Sequence, residues 1–149
     1  MLDPAEIRFG IGIGSIDTEI NVLSSTGADG PAYWCARSAV NSIHHHNDYK
    51  KSKILIEAQD KTDFMEVINE SLRLCDYTES KWRNTQRELM KQSVLNFGHD
   101  TKVPQKKLAD LLNITVQTVN TKIQSTGYYN YLRLKNSVCT TLQNHWGDK

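Results

Sequence analysis

Three carboxamide side chains recur along one short segment in the C-terminal half of the chain. Gln117, Asn120 and Gln124 are three and four residues apart, so a helix would place them on one side. A carboxamide carries a donor and an acceptor next to each other, which matches the edge that adenine presents in the major groove of DNA. Val116, which could contact a thymine methyl group, lies just before them. The segment therefore has the chemistry needed to recognise base edges.

Two crossing helices would be needed to present these side chains, and the surrounding residues predict both. A small residue, Ala109, would let the helices cross closely, and Asn113 tolerates the left-handed backbone of a tight turn. Thr115 stands where a helix N-cap is needed. Apolar residues are spaced to form a shared core at Leu108, Leu112, Ile114, Val119 and Ile123. We therefore predict a helix-turn-helix over 105–123, with the helix 115–126 in the major groove.

The predicted DNA contacts fall into two sets. The side chains expected to face the bases are Val116, Gln117, Asn120, Thr121 and Gln124. The side chains expected to contact phosphate are Gln105, Lys106, Lys107, Thr115 and Lys122. Phosphate contacts fix position and affinity, whereas base contacts give sequence preference. A plain solvated helix face is the alternative interpretation of both sets.

Charge is unevenly distributed along the 149 residues. Residues 1–77 hold 7 Lys/Arg against 12 Asp/Glu, a net charge of −5, and residues 78–149 hold 11 against 5, a net charge of +6. This asymmetry predicts two modules, 1–77 and 78–149, of which the basic one would meet phosphate. Ordinary scatter of charge is the alternative.

Cysteine usage and hydropathy indicate the compartment. Cys35, Cys75 and Cys139 are far apart and form no CxxC pair, which is typical of a reduced, cytoplasmic protein. No apolar run approaches the roughly 18 residues that span a bilayer, so we expect no membrane association. The consecutive histidines 44–46 would point in different directions from a helix end. We therefore expect no metal site and no cofactor.

The first half of the chain predicts an α/β segment. In the stretch 8–16, apolar residues alternate with Gly10, Gly12 and Gly14, which indicates a strand with one bare face. A bare glycine face means either that something packs closely against it or that the strand bends. A helix is predicted over about 32–45, starting at Pro31, and a second strand over 53–58. A helix over 60–76 would have its apolar side at Phe64, Val67, Ile68, Leu72 and Leu74.

The second half predicts four helices. A scaffold helix over 78–96 precedes the two helices of the motif, and a closing helix follows over 130–144. The apolar members of the scaffold helix would be Trp82, Leu89, Val94, Leu95 and Phe97. Those of the closing helix would be Tyr131, Leu134, Val138 and Leu142.

Two families resemble parts of this chain. The module from 79 onward is similar to the four-helix helix-turn-helix of LuxR-type regulators and sigma-factor region four, with Trp82, Gln86, Arg87 and Glu88 at the start of the scaffold helix. The combination of RFGIGIG, GADGPAYWCAR and KWRNTQRE with the helix-turn-helix resembles the SatD family of bacterial proteins. Because such proteins usually carry a further N-terminal stretch, the chain resembles the C-terminal two-thirds of one.

The glycine strand and the helix after it are also similar to nucleotidyl cyclase and GGDEF-type domains. Residues that match that pattern are Arg8, Gly10, Ile11, Gly14, Ala36 and Arg37. We expect no catalysis, because no paired acidic residues stand on adjacent strands to hold metal. The predicted fold is thus α+β, a truncated cyclase-like segment followed by an all-α helix-turn-helix domain.

The expected function is that of a cytoplasmic transcriptional regulator that binds double-stranded DNA. A second copy of the chain, as a homodimer, is the other candidate partner. Two alternatives stay open. One is a degenerate cyclase-like protein that binds a nucleotide or acts in signalling. The other is an interaction module whose helix-turn-helix binds protein.

Overall fold

The computed structural model describes residues 7–19, 27, 29–43, 52–60 and 63–147. Within these residues the protein is mixed α+β and mostly helical, with six helices and one two-stranded parallel sheet. In chain order the elements are β1 (Phe9–Ile13), α1 (Pro31–Ser42), β2 (Ile54–Ala58), α2 (Asp63–Lys81), α3 (Asn84–Phe97), α4 (Gln105–Leu112), α5 (Val116–Thr126) and α6 (Tyr128–Trp146). None of the helices so described is long and apolar enough to cross a membrane.

The chain divides into two compact units, Met1–Asp76 and Tyr77–Lys149. In the first unit, β1 and β2 pair in parallel, with Phe9 opposite Ile54 and Ile13 opposite Ala58. Helix α1 begins with Pro31 in its first turn, as its fixed φ favours. It packs on one side of the sheet through a small core of Ala39, Ile43 and Leu55. The consecutive histidines 44–46, which we predicted to form no metal site, lie outside the described residues.

Glycines form the side of β1 that meets α1. A Cβ built on Gly12 would lie 1.8 Å from the Ala32 carbonyl oxygen, and one on Gly10 would lie 2.4 Å from that of Ala36. Only glycine lets two backbones approach this closely, so the predicted bare face is confirmed. The strand is shorter than the predicted stretch 8–16. β1 covers Phe9–Ile13, and the chain bends at Gly14.

A side chain occupies the outer edge of β2. The Asn69 carboxamide, from α2, accepts a hydrogen bond from Ile56 N at 2.9 Å and donates one to Ile56 O at 2.8 Å. It thereby makes the two bonds that a third strand would make there. The buried Asp76 carboxylate accepts a further bond from Lys53 N, at 2.6 Å, where the chain enters β2. These contacts tie α2 to the sheet through polar groups.

The predicted boundary between the second and third helices is wrong. α2 continues through Tyr77 to Lys81, and α3 starts only at Asn84. No glycine or proline interrupts the chain near residue 77, so the helix has no local reason to end there. The interruption instead falls at Trp82 and Arg83, where the Trp82 side chain is buried in the core of the second unit.

The predicted apolar side of α2 is also wrong in part. Val67 and Leu74 are 65% and 57% exposed. The buried residues are Met65, Ile68, Leu72, Cys75 and Asp76. At about 100° per residue, Val67 and Leu74 project from a different side of the helix than Ile68 and Leu72. The apolar pattern in the sequence therefore combined two faces.

The second unit is a four-helix arrangement around one core. Its buried residues are Trp82, Leu89, Met90, Val103, Leu108, Ala109, Val119, Ile123, Tyr128 and Leu132. Leu95, predicted to be in this core, is 70% exposed. The closing helix begins at Tyr128 instead of 130, because the left-handed Gly127 alone suffices to end α5.

Inside this core, two hydroxyl groups meet. Ser93 Oγ and Tyr128 Oη lie 2.6 Å apart, and both residues are buried. Burial raises the pKa of Tyr128 above its ordinary 10.0, although the hydrogen bond with Ser93 acts in the opposite direction.

The glycine face of β1 leads to a graded stability prediction. We expect Gly12→Ala to lower the free energy of unfolding by about 3 kcal/mol, since the added Cβ must displace helix backbone. Gly10→Ala should lower the free energy of unfolding somewhat less. Gly14→Ala should lower it least, because the nearest neighbours of a Cβ on Gly14 lie 2.9 Å away. Urea unfolding followed by circular dichroism measures the order. Equal losses at the three positions would contradict the close packing of α1.

Candidate nucleic-acid interface

The turn between α4 and α5 depends on one residue in a left-handed conformation. Asn113 has φ 52° and ψ 47°, and it is the one non-glycine residue with positive φ within the described residues. Its conformation directs Ile114 N back to the Ala109 carbonyl, at 3.0 Å, which satisfies one of the free carbonyls at the end of α4. The prediction for Asn113 is therefore confirmed.

Helix α5 starts from a side-chain cap. Thr115 Oγ1 accepts a hydrogen bond from Thr118 N at 3.1 Å, as its position in the sequence predicts. The cap satisfies one of the amides that the first turn leaves without an intrahelical partner. Together with Asn113, it fixes the angle at which the chain enters α5.

One side of α5 is anchored in the core. Val119 and Ile123 are buried at 0% and 4% exposure, against the equally buried Leu108 and Ala109 of α4. Leu112 and Ile114 are partly buried and pack on the same cluster. The predicted shared core of the two helices is thus confirmed, and a small residue stands in it at 109.

The other side of α5 is polar and exposed. All five side chains predicted to face bases are exposed: Val116, Gln117, Asn120, Thr121 and Gln124. They fall within an arc of about 140° around the helix axis. Gln124 Nε2 donates to Asn120 Oδ1 at 3.4 Å, so these two carboxamides lie next to each other. Thr121 Oγ1 donates to Gln117 O at 3.1 Å, within the helix.

The residues predicted to contact phosphate are placed less uniformly. Lys106, Lys107 and Thr115 are exposed, and Gln105 is half-buried at the first position of α4. Lys122 differs, because it is half-buried and its Nζ donates to the Thr85 carbonyl at 3.3 Å. The ammonium group of Lys122 is therefore already bonded to α3, on the side of α5 away from the carboxamides.

The start of α3 holds the end of α5 through side chains. Trp82 Nε1 donates to the Thr126 carbonyl at 3.0 Å, and its ring meets that of Tyr131 edge-on at 4.9 Å. Gln86 accepts from Arg83 N at 2.7 Å and donates to Ser125 Oγ at 2.8 Å. With Lys122, these contacts form a clamp between residues 82–86 and 122–126.

Ser125 and Thr126, which provide part of this clamp, are not among the residues predicted from the sequence. Their partners lie 39 and 44 residues away, so no local pattern reports them. The signal available in the sequence is Trp82 followed by Gln86, an aromatic donor and a carboxamide one helical turn apart at the entry to a helix.

The Asn113 turn gives a prediction that does not depend on any ligand. Asn113→Gly should leave stability unchanged or raise it by about 0.5 kcal/mol, because glycine adopts the left-handed region without steric cost. Asn113→Val should lower it by about 1–2 kcal/mol. Chemical denaturation of the three proteins measures both differences. A valine variant as stable as the wild type would mean that the turn is not left-handed.

Comparison with known proteins identifies one relationship. No curated protein and no solved structure matches the chain. The model of the SatD family matches residues 1–142, which is nearly the entire sequence. The match includes the glycine strand, α1, α3 to α5 and most of α6. The chain therefore belongs to the SatD family.

Proposed function

We propose that this protein is a DNA-binding regulator that inserts α5 into the major groove. The observation that carries the proposal is the division of α5 into two sides. Val119 and Ile123 anchor one side, and the other presents a row of carboxamides at Gln117, Asn120 and Gln124. Exposed carboxamides on a rigid helix are suited to the donor and acceptor pattern of adenine.

The connection between α4 and α5 supports a helix-turn-helix mode of binding. In that mode the first helix crosses the phosphate backbone and the second enters the groove, with its first turns nearest the bases. Val116 and Gln117 lie in the first turn of α5, and Lys106 and Lys107 are exposed on the first turn of α4. The net charge of +6 over residues 78–149 favours association with phosphate.

The resemblance of the second unit to LuxR-type regulators and sigma-factor region four is consistent with this proposal. The residues that carry the resemblance include Trp82 and Gln86, and both hold the C-terminal end of α5 in place. We propose that the first unit, with its cyclase-like glycine strand, is the sensory or dimerising part of a cytoplasmic regulator. Catalysis is not part of the proposal.

Base contacts can be tested at two positions on α5. Gln117→Ala or Asn120→Ala should weaken binding to a preferred site by about 1–3 kcal/mol and relax the sequence preference at the contacted base. Gln143→Ala and Asn144→Ala, which truncate exposed side chains of the same types on α6, should leave binding unchanged. The measurement is fluorescence anisotropy on a site selected from random DNA. An equal loss on selected and random DNA would count against base recognition.

Phosphate contacts are tested through salt dependence. Lys106→Ala should weaken binding to all DNA sequences about equally. It should also lower the slope of log K against log salt concentration by about one. Arg133→Ala, which removes an exposed cation from α6, should leave the slope as it is. If the wild-type chain shows no salt-sensitive binding to genomic fragments, the proposed function is wrong. The exposed side of α5 would then be a candidate surface for protein binding.

A further inference from the structure

Helix α2 has two faces with different surroundings. Its buried residues (Met65, Ile68, Leu72, Cys75 and Asp76) lie along one side of the helix. On the opposite side lies a second stripe whose residues are all exposed: Asp63, Val67, Glu70, Leu74, Tyr77 and Lys81. We call this second stripe the α2 outer face. Its members follow one another at intervals of four, three, four, three and four residues, which is the spacing of a coiled-coil seam.

The outer face carries large apolar side chains in water. Val67 is 65% exposed, Leu74 57% and Tyr77 46%. Isolated exposed apolar residues are ordinary on protein surfaces, but these three share one seam within eleven residues. Such an arrangement is characteristic of a helix that packs against a second helix.

The order of the charges along the face is self-complementary. Asp63 begins the seam, Lys81 ends it, and the apolar residues lie between them. When two copies of α2 run antiparallel and cross at the level of Leu72, Asp63 lies opposite Lys81 of the second copy. In the same arrangement Val67 lies opposite Tyr77, and Leu74 lies opposite the aliphatic stem of Glu70. The face therefore matches a second copy of itself, both in charge and in apolar surface.

We propose that the α2 outer face is a homodimer interface in which α2 of two copies pack antiparallel. A parallel pair is disfavoured, because it would place Asp63 against Asp63, Glu70 against Glu70 and Lys81 against Lys81. The antiparallel arrangement replaces the two outer repulsions with two attractions. The charges thus specify the relative direction of the two helices, and the apolar side chains stabilise the contact between them.

The centre of the interface contains a further pair of charges. Arg73 borders the seam and would approach Arg73 of the second copy across the twofold axis. Its guanidinium is bonded to Glu70 of its own helix at 2.8 Å. The two Glu70–Arg73 pairs would therefore meet as a cluster of alternating charge, instead of as two bare cations. Lys81 keeps its ammonium at the surface, 4.9 Å from the centroid of the Tyr77 ring.

The size of the surface sets the strength of the association. A 19-residue helix is about 28 Å long, and a contact along one such helix lies at the low end of stable interfaces. The dimer is accordingly reversible and depends on protein concentration. The dimer uses a face of α2, so it would form whether or not α5 binds DNA.

The test is sedimentation velocity of the full chain without DNA, over about 1 to about 300 μM. The wild type should shift from monomer to dimer within this range. Leu74→Glu, which places a carboxylate opposite Glu70 of the second copy, should weaken association at least about tenfold. Leu95→Glu is the matched control, because Leu95 is 70% exposed on α3 and lies outside the α2 outer face. Circular dichroism confirms that each variant is folded.

A charge exchange distinguishes the antiparallel arrangement from any other. Asp63→Lys alone and Lys81→Asp alone should each weaken the dimer, and the double variant should restore it to within about threefold of the wild type. Only an antiparallel pair brings residues 63 and 81 together. In a parallel pair each single variant would replace one like-charge contact with another, so neither would weaken the dimer and the double variant would have nothing to restore. A chain that stays monomeric at the highest concentration overturns the proposal. So does a dimer that Leu74→Glu leaves intact, or a double variant without rescue.

Discussion

The hydrogen bond from the Trp82 indole to the Thr126 carbonyl is the contact on which the second unit depends. The last carbonyls of a helix lack intrahelical donors, and at the end of α5 a buried side chain from before α3 supplies one. Gly127 then reverses the backbone, so α6 starts at once and brings Tyr131 against the Trp82 ring. A single side chain thus connects the entry to α3, the end of α5 and the beginning of α6.

That connection determines how firmly α5 is held while its exposed side faces solvent. Thr115 fixes one end of the helix and the clamp fixes the other, so its side chains are presented on a rigid support. Gln124 and Asn120 are bonded to each other at 3.4 Å, a long contact that the polar groups of a binding partner could replace at small cost. Backbone order is therefore in place before any ligand arrives, and only side-chain rotations remain to be made.

Features with local causes could be predicted from the sequence, and features with distant causes could not. The left-handed Asn113, the Thr115 cap and the glycine side of β1 each follow from the chemistry of a few adjacent residues. The end of α2 at Lys81 follows from the burial of Trp82 against helices far along the chain. The buried side of α2 could not be predicted correctly from Val67 and Leu74, because a helix with two apolar faces gives one combined pattern. Which face is buried depends on partners elsewhere in the sequence.

The Asn69 carboxamide on the edge of β2 restricts how the length of this chain can vary. Asn69 must stay in phase with Ile56, which lies thirteen residues earlier. Removing one residue of α2 ahead of Asn69, within 63–68, would rotate the following part of the helix by about 100° and carry the carboxamide away from the strand. The same rotation would expose part of the buried side of α2 and turn its charged residues inward. Insertions and deletions within α2 ahead of Asn69 should therefore survive only in lengths close to whole helical turns.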